Sequence, residues 1–207
     1  MPNDTNRDSL YLTRRAFGAG LAAGTGFLAF ALPVQALSVD QAKALIDKAI
    51  AEVNATINSG KSEQAMYGDF ERIFLTYADV PTIARSALGV ASKSASAAQM
   101  SAFTTAYTGY LSRKYGRRFR EFIGGKIEVT DAQPYKSYFE VISTATLQGQ
   151  APFDLRWWVG DKSGRQLFFN IIIEGVNMLA SERTEVGALL DQNGGNIDKL
   201  IAALKTA

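Results

Sequence analysis

Phe153-Asp154-Leu155-Arg156-Trp157-Trp158-Val159-Gly160, the turn residues Asp161-Lys162-Ser163-Gly164, and Leu167-Phe168-Phe169-Asn170-Ile171-Ile172-Ile173 form the stretch that decides the fold. β-Branched and aromatic residues at period two, bounded by Asp, Ser and Gly, predict two strands joined as a hairpin. The pattern extends upstream, so strands are expected over 126–131, 135–147, 152–160 and 166–174. Odd positions carry most of the apolar load. Ile127, Val129, Phe139, Val141, Ala145, Leu147, Phe153, Leu155, Trp157, Val159, Leu167, Phe169, Ile171 and Ile173 should share a buried face, because alternate strand side chains point the same way. Lys136, Glu140, Asp154 and Arg156 should face the other way. An antiparallel sheet with one apolar face needs a cover.

Amphipathic helices on both sides of the sheet segment can supply it. Val39, Ala42, Leu45, Ile46, Ala49, Ile50, Val53 and Ile57 recur at helical intervals behind Ser38-Val39-Asp40-Gln41, which has capping-box spacing. A second helix fits residues 63–77. A third is capped by Asp79, carries Pro81 in its first turn and stops at Gly89. Ser96-Ala97-Ala98-Gln99 opens a long helix closed by Gly124-Gly125. Two further helices fit 176–191 and 197–205, with Gly194-Gly195 between them. The expected architecture is α+β: a curved four-stranded antiparallel sheet with amphipathic helices on one face.

The N-terminus reads as an export address. Thr13-Arg14-Arg15-Ala16-Phe17 precedes the apolar run Gly18 to Leu32, and Val34 and Ala36 complete a small-x-small cleavage site. The paired arginines match the twin-arginine type of signal. A spanning helix needs about 20 strongly apolar residues, more than this glycine-interrupted run supplies. Residues 1–36 are expected to be a signal peptide and 37–207 a single domain. The 171 residues left suffice for one substantial core. Their charge is 19 basic minus 18 acidic residues, too near neutral for nucleic-acid binding. With no Cys and no His, thiol nucleophiles, Ser-His catalysis and nearly every zinc site are excluded. No cofactor is expected.

Several blocks, in order, resemble the MlaC (toluene-tolerance) family. They are Phe70-Glu71-Arg72-Ile73-Phe74, Tyr77-Ala78-Asp79-Val80-Pro81-Thr82-Ile83-Ala84-Arg85-Ser86-Ala87-Leu88-Gly89, Gln99-Met100-Ser101-Ala102-Phe103, Asn170-Ile171-Ile172-Ile173-Glu174-Gly175-Val176-Asn177-Met178-Leu179 and Gly194-Gly195-Asn196-Ile197-Asp198-Lys199-Leu200-Ile201. Gln166 and Asn170 depart from the pattern, standing where the family usually has Trp and an acidic residue. The resemblance implies a non-enzymatic, monomeric periplasmic carrier on a cone-shaped, NTF2-like fold, with phospholipid tails in an apolar cavity between sheet and helices. It implies exchange of lipid between an MlaA-type outer-membrane complex and the MlaD-type MCE-domain subunit of an inner-membrane ABC transporter.

The physics is compatible. A diacyl lipid exposes roughly 30 tail methylenes at about 0.8 kcal/mol each, on the order of 24 kcal/mol. Phe74, Ile83, Leu88, Phe103, Tyr107, Leu111, Phe139, Val141, Phe153, Leu155, Trp157, Phe169 and Ile171 are the candidates for the lining, each with ordinary core packing as its alternative. The basic cluster Arg113, Lys114, Arg117, Arg118 and Arg120 is either a head-group or partner surface or a solvated helix face. Trp158 either covers the back of the sheet or touches a partner. Glu174-Gly175 reads as a corner rather than a catalytic site. Two other functions stay open: a small-molecule isomerase or hydratase using a tyrosine with Asp154 or Glu140, and a protein-binding scaffold. The cargo could also be another amphiphile such as a hopanoid.

Overall fold

The computed structural model describes residues 37–207, without the side chains of Phe119 and Arg120. The export-signal reading of residues 1–36 and the surface role expected of Arg120 lie outside the described residues. Helix α1 spans Val39–Ile57, and its capping box is complete: Ser38 Oγ accepts from Gln41 N at 3.2 Å, and Gln41 Oε1 accepts from Ser38 N at 3.0 Å. Helices α2 (Glu63–Tyr77) and α3 (Val80–Leu88) start at Ser62 and Asp79. Helix α4 (Ala97–Arg118) opens with a second reciprocal pair, Ser96 and Gln99, at 3.1 Å both ways. Gly116 allows α2 to close on α4, since a Cβ there would stand 2.5 Å from the Tyr67 ring.

Strands β1 (Lys126–Tyr135), β2 (Tyr138–Thr146), β3 (Phe153–Gly160), β4 (Leu167–Ile173) and β5 (Val176–Asn177) form one antiparallel sheet in chain order. Helices α5 (Met178–Gln192) and α6 (Ile197–Leu204) complete the fold. Helix α1 lies on β1, β2 and β3, and α3 and α5 lie on β4. Helix α2 packs on α1 and α4, and α6 packs on α4 and α5. Phe103, Tyr107, Ile46, Val141, Val159, Val186, Leu200 and Leu204 are fully buried between these layers.

The sheet corrects three expectations. It has five strands, because Glu174 and Gly175 both take positive φ, 49° and 80°, and fold Val176–Asn177 back onto β4. Two successive positive-φ residues make the tightest antiparallel connection, and glycine holds the second at no steric cost. Strand β1 continues past 131 to Tyr135; Pro134 is tolerated there because β1 is an edge. The odd-position rule fails at two bulges, between Val129 and Asp131 on β1 and opposite Trp158/Val159 on β4. An extra residue reverses the facing of everything beyond it. Val159 therefore pairs with Phe168, and Phe168 takes the inward place expected of Phe169. Its ring meets Trp157 at 5.3 Å and Phe74 at 6.2 Å. The Phe169 ring packs with Tyr138 and Trp158, at 5.2 and 6.1 Å.

Trp158 covers the back of the sheet. Its Nε1 donates to Glu140 Oε1 at 3.3 Å, while Glu140 Oε2 accepts from Gln133 at 3.1 Å and Arg156 at 3.3 Å. Glu140 is buried by this small aromatic-polar cluster, so its charge is compensated by neighbours on its own sheet face.

Candidate functional site: a cavity between sheet and helices

A partly open cavity of about 670 Å³ lies between the sheet and the helices. That is within the range of ligand sites, roughly 300–1,000 Å³. Its walls are mostly hydrocarbon: Ala49, Ile50 and Val53 from α1, Phe70, Ile73 and Phe74 from α2, Ile83 from α3 and Leu111 from α4. Leu155 and Trp157 come from β3, Phe168, Ile171 and Ile173 from β4, and Leu179 from α5.

Local structure explains these placements. The corner between α2 and α3 is pinned to β4, where Asp79 N donates to Phe168 O at 2.7 Å, so Phe74 and Ile83 face Phe168. The start of α5 is pinned to the same strand. Buried Asn170 accepts from Leu179 N at 3.1 Å and donates to Asn177 Oδ1 at 3.1 Å, while Asn177 caps the helix by accepting from Ala180 N. The sheet and α5 thus hold a fixed spacing at one end of the hollow.

Of the thirteen residues expected to line a cavity, Phe74, Ile83, Tyr107, Leu111, Phe153, Leu155, Trp157 and Ile171 contribute to its wall, and Phe169 borders it at the β4 bulge while its ring packs with Tyr138 and Trp158. Leu88, Phe103, Phe139 and Val141 do not. Phe103 stacks on Tyr107 at 5.4 Å and has no exposed surface, and Val141 is sealed opposite Trp157 and Ala132. Leu88 is buried in the core, and Phe139 packs against it, paired with Pro134 and Val159. All four fill the protein rather than the hollow.

The basic cluster is divided among different tasks. Arg113 donates to the carbonyls of Leu204 and Ala207 at 2.6 and 2.9 Å, closing the end of α6. Arg117 is exposed. Among the described members, only Lys114 and Arg118 reach the cavity. Lys114 Nζ donates to Glu182 Oε1 at 2.7 Å and Glu185 Oε2 at 2.5 Å. It also sits over the rings of Tyr110 and Tyr115, at 5.5 and 5.4 Å from their centroids. Glu182 accepts in addition from Tyr107 at 3.2 Å and Tyr115 at 2.5 Å, and Glu185 accepts from Tyr110. Sequence reasoning passed over Glu182 and Glu185; their spacing of three on a helix, placing both on one face, was the available signal.

This polar bridge spans α4 and α5 at the cavity wall and shifts its own titrations. Burial, with Glu182 beside them, pushes the Tyr107 and Tyr115 hydroxyls upward. Burial and the hydrogen bond to Glu185 push Tyr110 up to about 12. Burial opposes the charge on Lys114, but its hydrogen bonds to Glu182 and Glu185 outweigh that and raise it. Burial likewise opposes the charge on Glu185, and its bonds from Lys114 and Tyr110 win and lower it. Tyrosine in an unfolded chain gives up its proton near pH 10, about two pH units before folded Tyr110 does. The unfolded chain therefore sheds protons that the folded one keeps, and stability falls as pH rises through that window. Raised Lys114 acts in the same direction. Thermal midpoints should hold level between about pH 6 and 10, fall on the acid side as carboxylates such as Glu185 take up protons, and drop again between about 10 and 12. A midpoint unchanged across that window would contradict the bridge.

The carboxylates considered for catalysis lie elsewhere. Glu140 is buried behind the sheet and Asp154 is exposed on the same outward register. Among the described residues, no group of His, Cys, Asp or Glu has an arrangement suited to a metal ion.

Together these features define an α+β protein with a hydrocarbon-lined hollow and a polar seam between two helices. The MlaC protein family matches residues 43–206, and the chain belongs to that family. Among solved structures it is similar to the phospholipid-binding protein from Ralstonia solanacearum, determined in complex with a phospholipid. The TM-score is 0.66 at 18% identity, over 79% of this chain and 98% of that one, so the likeness is one of fold.

Proposed function

We propose that this protein is a non-enzymatic phospholipid carrier of the periplasm that holds acyl tails in the cavity between sheet and helices. The observation that carries this reading is the hollow itself, about 670 Å³ walled largely by aliphatic and aromatic side chains. A methylene fills about the volume of a water molecule, on the order of 30 Å³, so the hollow takes about 20 of them. Withdrawing that many from water is worth about 16 kcal/mol gross, before the costs of ordering the tails. About two thirds of the tail length of a diacyl lipid is accommodated, and the rest lies at the mouth or displaces the wall. Such binding makes and breaks no covalent bond, in keeping with a chain free of Cys and His. The Ralstonia protein of the same fold, which holds a phospholipid, supports the reading.

The export-type sequence over residues 1–36 supports a periplasmic setting. There the carrier shuttles lipid between an MlaA-type outer-membrane complex and the MlaD-type MCE-domain subunit of an inner-membrane ABC transporter, touching each transiently. Native mass spectrometry of the purified protein tests the lipid reading, with a mass increment equal to one phospholipid expected. Protein that is uniformly ligand-free, and stays so after incubation with phospholipid vesicles, would refute it.

A further inference from the structure

Among the described residues, the charged ones lining the cavity are Lys114, Arg118, Glu121, Glu174, Glu182 and Glu185: four glutamates against two cations. A phosphate seeking a positive site meets an acidic wall instead. The best-formed polar feature in that wall is built around an ammonium. Lys114 Nζ is held by carboxylate oxygens of Glu182 and Glu185 at 2.7 and 2.5 Å and lies over the Tyr110 and Tyr115 rings at 5.5 and 5.4 Å. Aromatic faces combined with carboxylates are the surroundings that select organic ammonium groups. Two carboxylates facing one lysine leave a negative charge over; exposed Arg118, the other cation on the wall among the described residues, acts on Glu185 from the solvent side, where screening weakens the compensation. Glu182 is almost wholly buried, whereas Glu185 and Lys114 reach solvent, with 42% and 26% of their side chains exposed. Glu185 is therefore accessible to a head group at the mouth, and Lys114 can swing aside.

We propose that the seam between α4 and α5 is a head-group selectivity site that favours lipids bearing an ammonium, with Glu185 as the selecting residue and Lys114 as a tethered stand-in. This rests on the carrier reading above. A phosphatidylethanolamine brings its own ammonium to Glu185 and offsets the excess negative charge. A phosphatidylglycerol adds a further negative charge to an acidic wall and gains nothing there.

The test uses equimolar vesicles of phosphatidylethanolamine and phosphatidylglycerol with identical acyl chains. The purified protein is incubated with them, re-isolated, and its bound lipid identified by mass spectrometry. Wild type should be enriched in phosphatidylethanolamine by about three- to fivefold, as partly solvated ion pairs allow. Glu185→Gln should bring the bound mixture close to the vesicle composition. Lys114→Met, which vacates the ammonium place, should raise the enrichment above wild type; because it leaves Glu182 less compensated and can fail to fold, Glu185→Gln is the deciding variant. Bound lipid in vesicle proportions, or rich in phosphatidylglycerol, in the wild type overturns the proposal while leaving the carrier reading intact. So does an enrichment that Glu185→Gln does not reduce. Uptake of neither lipid overturns the carrier reading and this one together.

Discussion

Ile171→Arg is expected to fold and to lose lipid, whereas Val141→Arg is expected not to fold. Both residues pair with Trp157 on the inner face of the sheet, on opposite sides of β3, so sequence pattern treats them alike. Ile171 is half-buried and borders the hollow; Val141 has no exposed surface and no contact with it. An arginine at 171 has empty space to enter. It displaces about four methylenes' worth of hydrocarbon, about 3 kcal/mol, and so weakens lipid binding on the order of 100-fold. The guanidinium adds to this by requiring hydration where tails should lie. An arginine at 141 meets packed neighbours and no counter-charge, a loss of more than about 4 kcal/mol, much of a typical domain's stability. Circular dichroism melts and lipid content by mass spectrometry separate the outcomes. Ile171→Arg with wild-type lipid content would remove that strand from the cavity wall. A folded, unloaded Val141→Arg would place the cavity where the structure shows solid core.

Glu182→Ala should be the most damaging single change among the polar residues. Its carboxylate, with 5% of the side chain exposed, accepts from Lys114, Tyr107 and Tyr115 at once. Truncation leaves the fully buried Tyr107 hydroxyl without that partner and halves the compensation of Lys114. Breaking a buried charged cluster by removing one member costs about 3–5 kcal/mol. With urea slopes of about 1–3 kcal/mol per molar, the unfolding midpoint should fall by roughly 1–5 M with the slope unchanged. A loss under about 1 kcal/mol would mean the seam contributes no more than a surface ion pair. The contrast between Glu182 and its neighbour Glu185 follows from solvent access, since water replaces lost partners at Glu185 and cannot at Glu182.

Much of the fold was legible along the chain because its signals are local. Ser38, Asp79 and Ser96 each cap the helix they were expected to open, since a cap needs only the next three residues. Inward facing was likewise readable on β3, where Leu155, Trp157 and Val159 alternate without interruption. The fifth strand was not readable. Val176 and Asn177 look like the first turn of a helix until the reversal at Glu174 and Gly175 brings them beside Ile173 and Ile172. Nor was the exchange of Phe168 for Phe169, because a bulge is a mismatch between two strands and leaves no mark in either alone.

The cavity divides the two kinds of knowledge most clearly. Composition and periodicity determined the α+β class and the apolar interior, and a sequence without Cys or His has no residues for chemistry that depends on them. Whether a given apolar side chain meets another or faces a void is set by distances between elements far apart in the chain. Phe103 and Leu111 share a helix; one is sealed in the core and the other borders the hollow. Lys114 finds Glu182 across 68 residues for the same reason. Hydrophobicity specifies burial, but only three-dimensional spacing decides what lies opposite a buried group.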